Sequence, residues 1–159
     1  SAVNAFAGAF RQHLLAFQTT VLALVPGMKD AGHGRIINVI STSVKQPLPN
    51  LGVSNTVRGA VAQWSKTLAS ELGPFGITVN NVLPGATRTE RLATIIRNRV
   101  AKTGQSEEEV AHEMTREVPL RRFAEPWEIA AAIAFLAGPS AAYINGINLP
   151  VDGGRTGCL

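Results

Sequence analysis

Two stretches of this chain restrict its fold more than anything else in it. Residues 35 to 41, RIINVIS, are β-branched and almost uniformly apolar, and residues 77 to 83, ITVNNVL, form a second β-branched run closed by Pro84 and Gly85. A strand with that pattern is buried on both faces, as strands of a parallel sheet are. Between them, residues 55 to 72 carry Val57, Val61, Trp64, Leu68 and Leu72 along one helical face and stop at Gly73 and Pro74. A strand, a helix and a second such strand make a crossover unit, which fixes the fold class as α/β.

The remaining pattern extends that unit. Residues 3 to 31 read as one long helix, with Phe6, Phe10, Leu14, Phe17, Val21, Leu24 and Met28 at three- and four-residue steps; Pro26 is expected to kink it and Gly32 and Gly34 to stop it. Residues 88 to 117 are polar and read as two helical pieces, the second opened by a capping box of Ser106 and Glu109. A further helix starts at Pro126, shows Ile129, Ile133 and Leu136 on one side and ends at Gly138. A short strand over about 146 to 150 precedes the loop VDGG at 151 to 154. There is no repeat and no linker, so residues 1 to 159 are expected to form a single domain. Three strands make a thin sheet, and no strand precedes the first helix to pack it. The domain is therefore expected to be incomplete at its N-terminus.

Composition narrows the function classes. With 45% hydrophobic and 16% charged residues the chain is a packed protein rather than a disordered one. Its net charge of +4 is scattered apart from Arg88, Arg91, Arg97, Arg99 and Lys102, which read as a solvated helix face and not as a nucleic-acid site. Arg11, His13 and Lys29 bracket the longest apolar run, which is too short to span a membrane, so no membrane span is expected. The single cysteine, Cys158, cannot form an internal disulfide, and no Cys/His cluster has metal spacing. A cytoplasmic location and no bound metal are the expectations.

Three segments carry a family resemblance: GRIINVIS ending at Ser41, ITVNNVLPGATRTE over 77 to 90, and VPLRRFAEPWEIAAAIAFLAGPSAAYINGINLPVDGG at the end. Together they resemble the short-chain dehydrogenases/reductases, above all the 3-oxoacyl carrier-protein reductases. The resemblance implies the C-terminal part of a doubly wound, Rossmann-like parallel sheet flanked by helices. It also implies hydride transfer between NAD or NADP and a carbonyl or alcohol substrate, and a homodimer or homotetramer. Family chains carry a glycine-rich phosphate-binding turn in an N-terminal βαβ unit; this sequence has none, so the chain by itself is expected to bind dinucleotides poorly.

Family catalysis relies on a tyrosine, a lysine four residues later, a serine thirteen residues before the tyrosine, and an asparagine on the preceding helix. Ser41 matches the serine. Ser54 stands where the tyrosine belongs and Arg58 where the lysine belongs, in a register held without gaps by AVAQWSKTLASEL at 60 to 72. The only tyrosine, Tyr143, lies far downstream. His13 falls near the asparagine's place. Pro84, Gly85 and Thr89 match a P-G-x-x-x-T segment, with Thr87 inside it, that contacts the nicotinamide carboxamide in the family. The resemblance thus implies cofactor contacts at Pro84, Gly85, Thr87, Thr89 and Arg58, and an altered catalytic group of Ser41, Ser54, Arg58 and His13.

Each position also has a plainer reading. Ser41 would bond its own loop, Arg58 would pair with a neighbouring acid, His13 would be a half-buried structural histidine, and Thr89 would cap the next helix. Two further functions stay open at this point: a catalytically inactive relative that binds a ligand or partner, and an assembly module. Specificity would come from the loop 44 to 52 and the helices of 88 to 117. The terminal VDGG and Arg121-Arg122-Phe123 match family positions that are mainly structural.

Overall fold

The computed structural model describes residues 2–158. Its sheet has three parallel strands in the order β1-β2-β3: β1 (Gly34–Val39), β2 (Ile77–Pro84) and β3 (Asn148–Val151). The two stretches are neighbours, registered Gly34 to Ile77 and Val39 to Val82, with β2 central; β1 lies at the sheet edge and is only partly buried, Val39 being 43% exposed, so the expected burial on both faces holds for β2 and not for β1. Seven of the eight β2 residues are buried, the polar Thr78, Asn80 and Asn81 among them.

Successive β2 side chains go to opposite faces. Ile77 and Val79 pack with Ala69 and Leu72 of α3 (Gly52–Leu72) and with Val25 and Met28 of α2 (Ala16–Asp30). Val82 packs on the other face against Ile129 and Leu136 of α6 (Pro126–Ala137). Helices therefore cover both faces, and the fully buried Val79, Val82 and Leu83 each contribute about 1.5–3 kcal/mol of hydrophobic stabilisation. Between β2 and α6 lie α4 (Glu90–Thr103) and α5 (Glu107–Arg116).

The first helix is continuous but not uniform. α1 (Ala2–Phe10) passes through a π-helical turn, Arg11–Leu15, into α2, with the Ala16 amide donating to the carbonyl of Arg11. Pro26 sits inside α2, which runs on to Asp30 before Gly32 turns the chain in the left-handed region at φ 60°. Trp64 Nε1 of α3 donates to Gln18 Oε1 of α2 at 2.7 Å, and its ring lies 6.4 Å from that of Phe17, so the two helices are locked side by side. The capping box at Ser106 and Glu109 is formed, and Pro126 takes the first turn of α6.

Buried amides fix the strand register. Asn38 Nδ2 on β1 donates to Asn81 Oδ1 on β2 at 3.1 Å and to Ser65 Oγ of α3 at 2.9 Å. Asn81 Nδ2 in turn donates to Asn148 Oδ1 on β3 at 2.8 Å. These three asparagines are direct partners in the strand pairing. A one-residue slip would turn each of them to the opposite face and strand its amide without a partner. On the opposite face Asn80 Nδ2 donates to the Ile144 carbonyl at 2.9 Å, while its Oδ1 accepts the Ile147 amide at 3.2 Å, which holds the approach to β3.

Asn81→Ala orphans Asn148 Oδ1 and leaves a small cavity. It is expected to lower unfolding stability by about 2–4 kcal/mol in urea titrations. A loss under about 1 kcal/mol would mean that the asparagine ladder does not hold the sheet together.

Candidate active site

In a parallel sheet the loops after each strand gather at one edge. Ser41 lies two residues past Val39 and Pro84 two residues past Val82, the residues paired at the end of the β1–β2 register, so both reach the same edge. α3 leaves this edge and returns to the start of β2, so its first turns, with Ser54 and Arg58, belong here. α2 runs down to the start of β1, so the π turn with His13 belongs here too. One apolar cluster underlies the group: Ile40 beside Ser41, Leu83 beside Pro84, Val61 one turn after Arg58, and Leu14 beside His13.

Ser41 is half-buried, with extended backbone, and its Oγ accepts the Ser43 amide at 3.1 Å. The loop-bonding reading is therefore right, and it leaves the hydroxyl hydrogen available to a ligand oxygen. Ser54 is exposed on the first turn of α3. Arg58, one turn on, is half-buried, and among the described residues no carboxylate lies within ion-pair distance of it. The expected alternative, an acid partner for Arg58, is thus contradicted: the acids nearest in sequence are Asp30 and Glu71, at the far ends of α2 and α3. Burial lowers the guanidinium's pKa from its ordinary value.

His13 is half-buried, its ring edge-on to Phe17 at 6.5 Å. Its pKa is lowered, first by burial and then by the positive charge of Arg58. The two residues are thus electrostatic neighbours, and the imidazole is held toward its neutral form. The π turn that carries His13 had no sequence signal; such turns recur at functional sites because they re-aim side chains out of helical register.

The Pro84–Thr89 segment is built into the fold. Thr87 pairs with Ala124 in an isolated bridge, and its hydroxyl donates to the Gly85 carbonyl at 3.1 Å. Thr89 caps α4: its Oγ1 accepts the Leu92 amide at 3.4 Å and donates to the Thr87 carbonyl at 3.3 Å. Gly85 has a steric reason, since a Cβ there would stand 2.8 Å from Asp152 Cα. Asp152 is itself fixed by accepting the Gly154 amide at 3.0 Å and the Thr156 amide at 2.8 Å. Arg122 grips Glu128 through two 2.6 Å bonds, and Glu128, its pKa drawn down to about 2 chiefly by that contact, accepts the Glu125 amide and closes the start of α6.

Two residues passed over in the sequence stand out here. Asn55 Nδ2 donates to the Leu48 carbonyl at 2.8 Å and ties the 44–52 loop to α3. Asn55 Oδ1 and Ser43 Oγ are buried polar atoms with no hydrogen bond in the structure. A depression of about 610 Å³ opens beside Thr89 between α4 and α5, lined among others by Arg88, Leu92, Ile96 and Phe123. A smaller one of about 250 Å³ lies behind Ala86 against Val118 and Asp152. Neither contains Ser41, Ser54, Arg58 or His13.

This edge, with a serine closing one strand and a P-G-x-x-x-T turn closing the next, is that of an α/β dinucleotide-type fold. Residues 2–156 match the family model described as enoyl-(acyl carrier protein) reductase. The chain belongs to the short-chain dehydrogenase/reductase family and resembles its 3-oxoacyl carrier-protein reductases. It is 38% identical over 130 residues to the short-chain reductase NovJ of Streptomyces niveus, covering 80% of this chain and 47% of that protein. It is 38% identical over 134 residues to the 3-oxoacyl-[acyl-carrier-protein] reductase FabG of Vibrio cholerae, covering 83% and 50%. The crystal structure of L-sorbose reductase from Gluconobacter frateurii, in complex with NADPH and L-sorbose, superposes with a TM-score of 0.93 at 30% identity, covering 100% of this chain and 61% of that one. The chain spans about half the length of the curated relatives it matches.

Gly85→Ala drives a methyl group into the Asp152 backbone and is expected to cost about 1–3 kcal/mol in denaturant unfolding. Gly59→Ala, a helical site with nothing within 4 Å, is expected to be neutral or stabilising by up to about 1 kcal/mol. Equal effects would remove the steric reason for Gly85.

Proposed function

We propose that the complete protein is an NAD- or NADP-dependent oxidoreductase acting on a small carbonyl or alcohol substrate through an altered polar site of Ser41, Ser54, Arg58 and His13. The observation that carries this reading is Arg58, a half-buried guanidinium with no acid partner among the described residues, at the edge where relatives hold their cofactor. The residues present fit the nicotinamide half of such a cofactor. Arg58 offers hydrogen bonds to ribose hydroxyls, the orphaned Asn55 Oδ1 and Ser43 Oγ offer polar contacts, and Pro84, Gly85, Thr87 and Thr89 supply rigid backbone beside it. Bound there, the nicotinamide supplies or accepts the hydride.

The chain's own residues would handle the substrate oxygen. Ser41, braced by the Ser43 amide, donates its free hydroxyl hydrogen to that oxygen. No tyrosine is available, since Tyr143 is fully exposed on the loop before β3. His13, held toward neutrality by burial and Arg58, would accept the hydroxyl proton in alcohol oxidation and, after taking up a proton from solvent, return it to the substrate oxygen in reduction, with Ser54 as the polar wall beside it. The depression between α4 and α5 next to Thr89 receives the rest of the substrate, which gives helices α4 and α5 their role in specificity.

Val3, Phe6, Phe10, Leu15 and Leu22, each at least 40% exposed, line the outer side of the first helix and support a homodimer or homotetramer. Among the described residues no helix is long and apolar enough to cross a membrane. We place the protein in the cytoplasm, in keeping with an exposed, unpaired Cys158.

Incubating the complete natural protein with NADH or NADPH and a panel of ketones is expected to consume cofactor. Arg58→Ala should lower turnover or ligand affinity at least about tenfold. No loss in either would sink the altered-site reading.

The depressed pKa of His13 has a definite sign. The unfolded imidazole takes up a proton around 6.5 and the folded one resists it, so stability falls as pH drops below 6.5 toward the folded value. His13→Asn should therefore lose less melting temperature than the parent between about pH 7 and pH 5.5. An unchanged difference would show that His13 is not held neutral.

A further inference from the structure

The charges of the first seventy residues, which supply Ser41, Ser54, Arg58 and His13, are one-sided. Asp30 is the only carboxylate in the first seventy residues, which hold six lysines and arginines. Asp30 closes α2 and Glu71 stands near the end of α3, both at the edge opposite the site. Glu107 and Glu108, in the first turn of α5, line the α4–α5 depression without an ion pair among the described residues, whereas three other acids near the site edge are committed. Glu125 pairs with Arg88 at 2.8 Å, Glu90 with Arg97 at 2.6 Å, and both oxygens of Asp152 accept amides of their own turn. Arg58 and Lys45, the latter in the turn after Ser41, are left as cations with no carboxylate within 4.0 Å among the described residues.

A half-buried guanidinium has lost part of its hydration, and that cost is recovered only by an anion or a full set of acceptors. The neighbouring imidazole leans toward its neutral form, so it does not compete with Arg58 for an anion.

Resting on the oxidoreductase reading above, we propose that Arg58 anchors an anionic oxygen group, a carboxylate or a phosphate, on the ligand bound at this edge. The planar fork of the guanidinium fits the two oxygens of such a group, and Lys45 adds longer-range attraction. If the group belongs to the substrate, the enzyme is selective for oxo acids or hydroxy acids over the corresponding neutral carbonyls and alcohols. If it belongs to the cofactor, Arg58 holds a phosphate.

The test is calorimetric binding to the complete natural protein, its Arg58→Gln variant and its Arg58→Lys variant. The probes are 2-oxobutanoate and its methyl ester, NADH and NADPH, and the phosphate-free reduced nicotinamide riboside. A substrate anchor predicts that the parent prefers the acid over the ester at least about tenfold, and that Arg58→Gln erases the preference. A cofactor anchor predicts that Arg58→Gln weakens NADH or NADPH at least about tenfold more than it weakens the riboside. Arg58→Lys, which keeps the charge and loses the fork, should fall between the other two in either case.

Two results would overturn the proposal. One is equal weakening of the riboside and both dinucleotides with an unaltered acid-to-ester ratio, which would make Arg58 a hydroxyl ligand. The other is affinity for every probe within about twofold of the parent in a folded Arg58→Gln variant, with unchanged melting temperature as the check on folding. Hydride transfer is measured separately, so its absence would refute the oxidoreductase reading without deciding the anion site.

Discussion

The chain of buried amides from Asn38 through Asn81 to Asn148 is the contact on which the rest of the arrangement depends. Hydrophobic burial drives β1 and β2 together but does not choose their register, because neighbouring apolar residues are nearly interchangeable in a strand covered on both faces. Hydrogen-bonded amides do choose it, since a buried amide without a partner is expensive. Once Asn38 faces Asn81 and Asn81 faces Asn148, Ser41 and Pro84 come level at the same edge. Ser65 carries the same network into α3 and so fixes the height of Arg58 above the sheet.

On that frame the electrostatics of the site differ from those the family resemblance implies. A tyrosine–lysine pair would keep its proton donor and its cation one helical turn apart on one helix. Here α3 offers Ser54 and Arg58, and His13, on the π turn of the neighbouring helix, feels the charge of Arg58. Trp64 and Gln18 hold the two helices together, so this relation between His13 and Arg58 is a property of helix packing and not of either segment alone.

The Pro84–Thr89 turn serves the fold whatever it does for a ligand. Thr89 caps α4, Thr87 bridges to Ala124, and Gly85 makes room for the Asp152 backbone. Retention of this motif is thus explained by packing as much as by cofactor contact. The same holds for Arg122 and Phe123: one forks onto Glu128, and the other is buried.

Much of the fold was legible in sequence because its signals are local. Runs of β-branched residues marked β1 and β2, helical spacing marked α1–α2, α3 and α6, and Ser106 with Glu109 marked the start of α5. Boundaries moved by only one to three residues, as at α3, which starts at Gly52, and β3, which spans Asn148–Val151. The loss of the family tyrosine and lysine at Ser54 and Arg58 was also a matter of spacing alone. What the linear chain could not express were contacts between distant residues: the asparagine ladder across three strands, the clash that reserves position 85 for glycine, the orphaned Asn55 Oδ1, and the lack, among the described residues, of an acid partner for Arg58. Each depends on which side chains meet after α2, α3 and the sheet have packed, and that is decided by tertiary geometry because hydrogen bonding and charge pairing act through space and not along the chain.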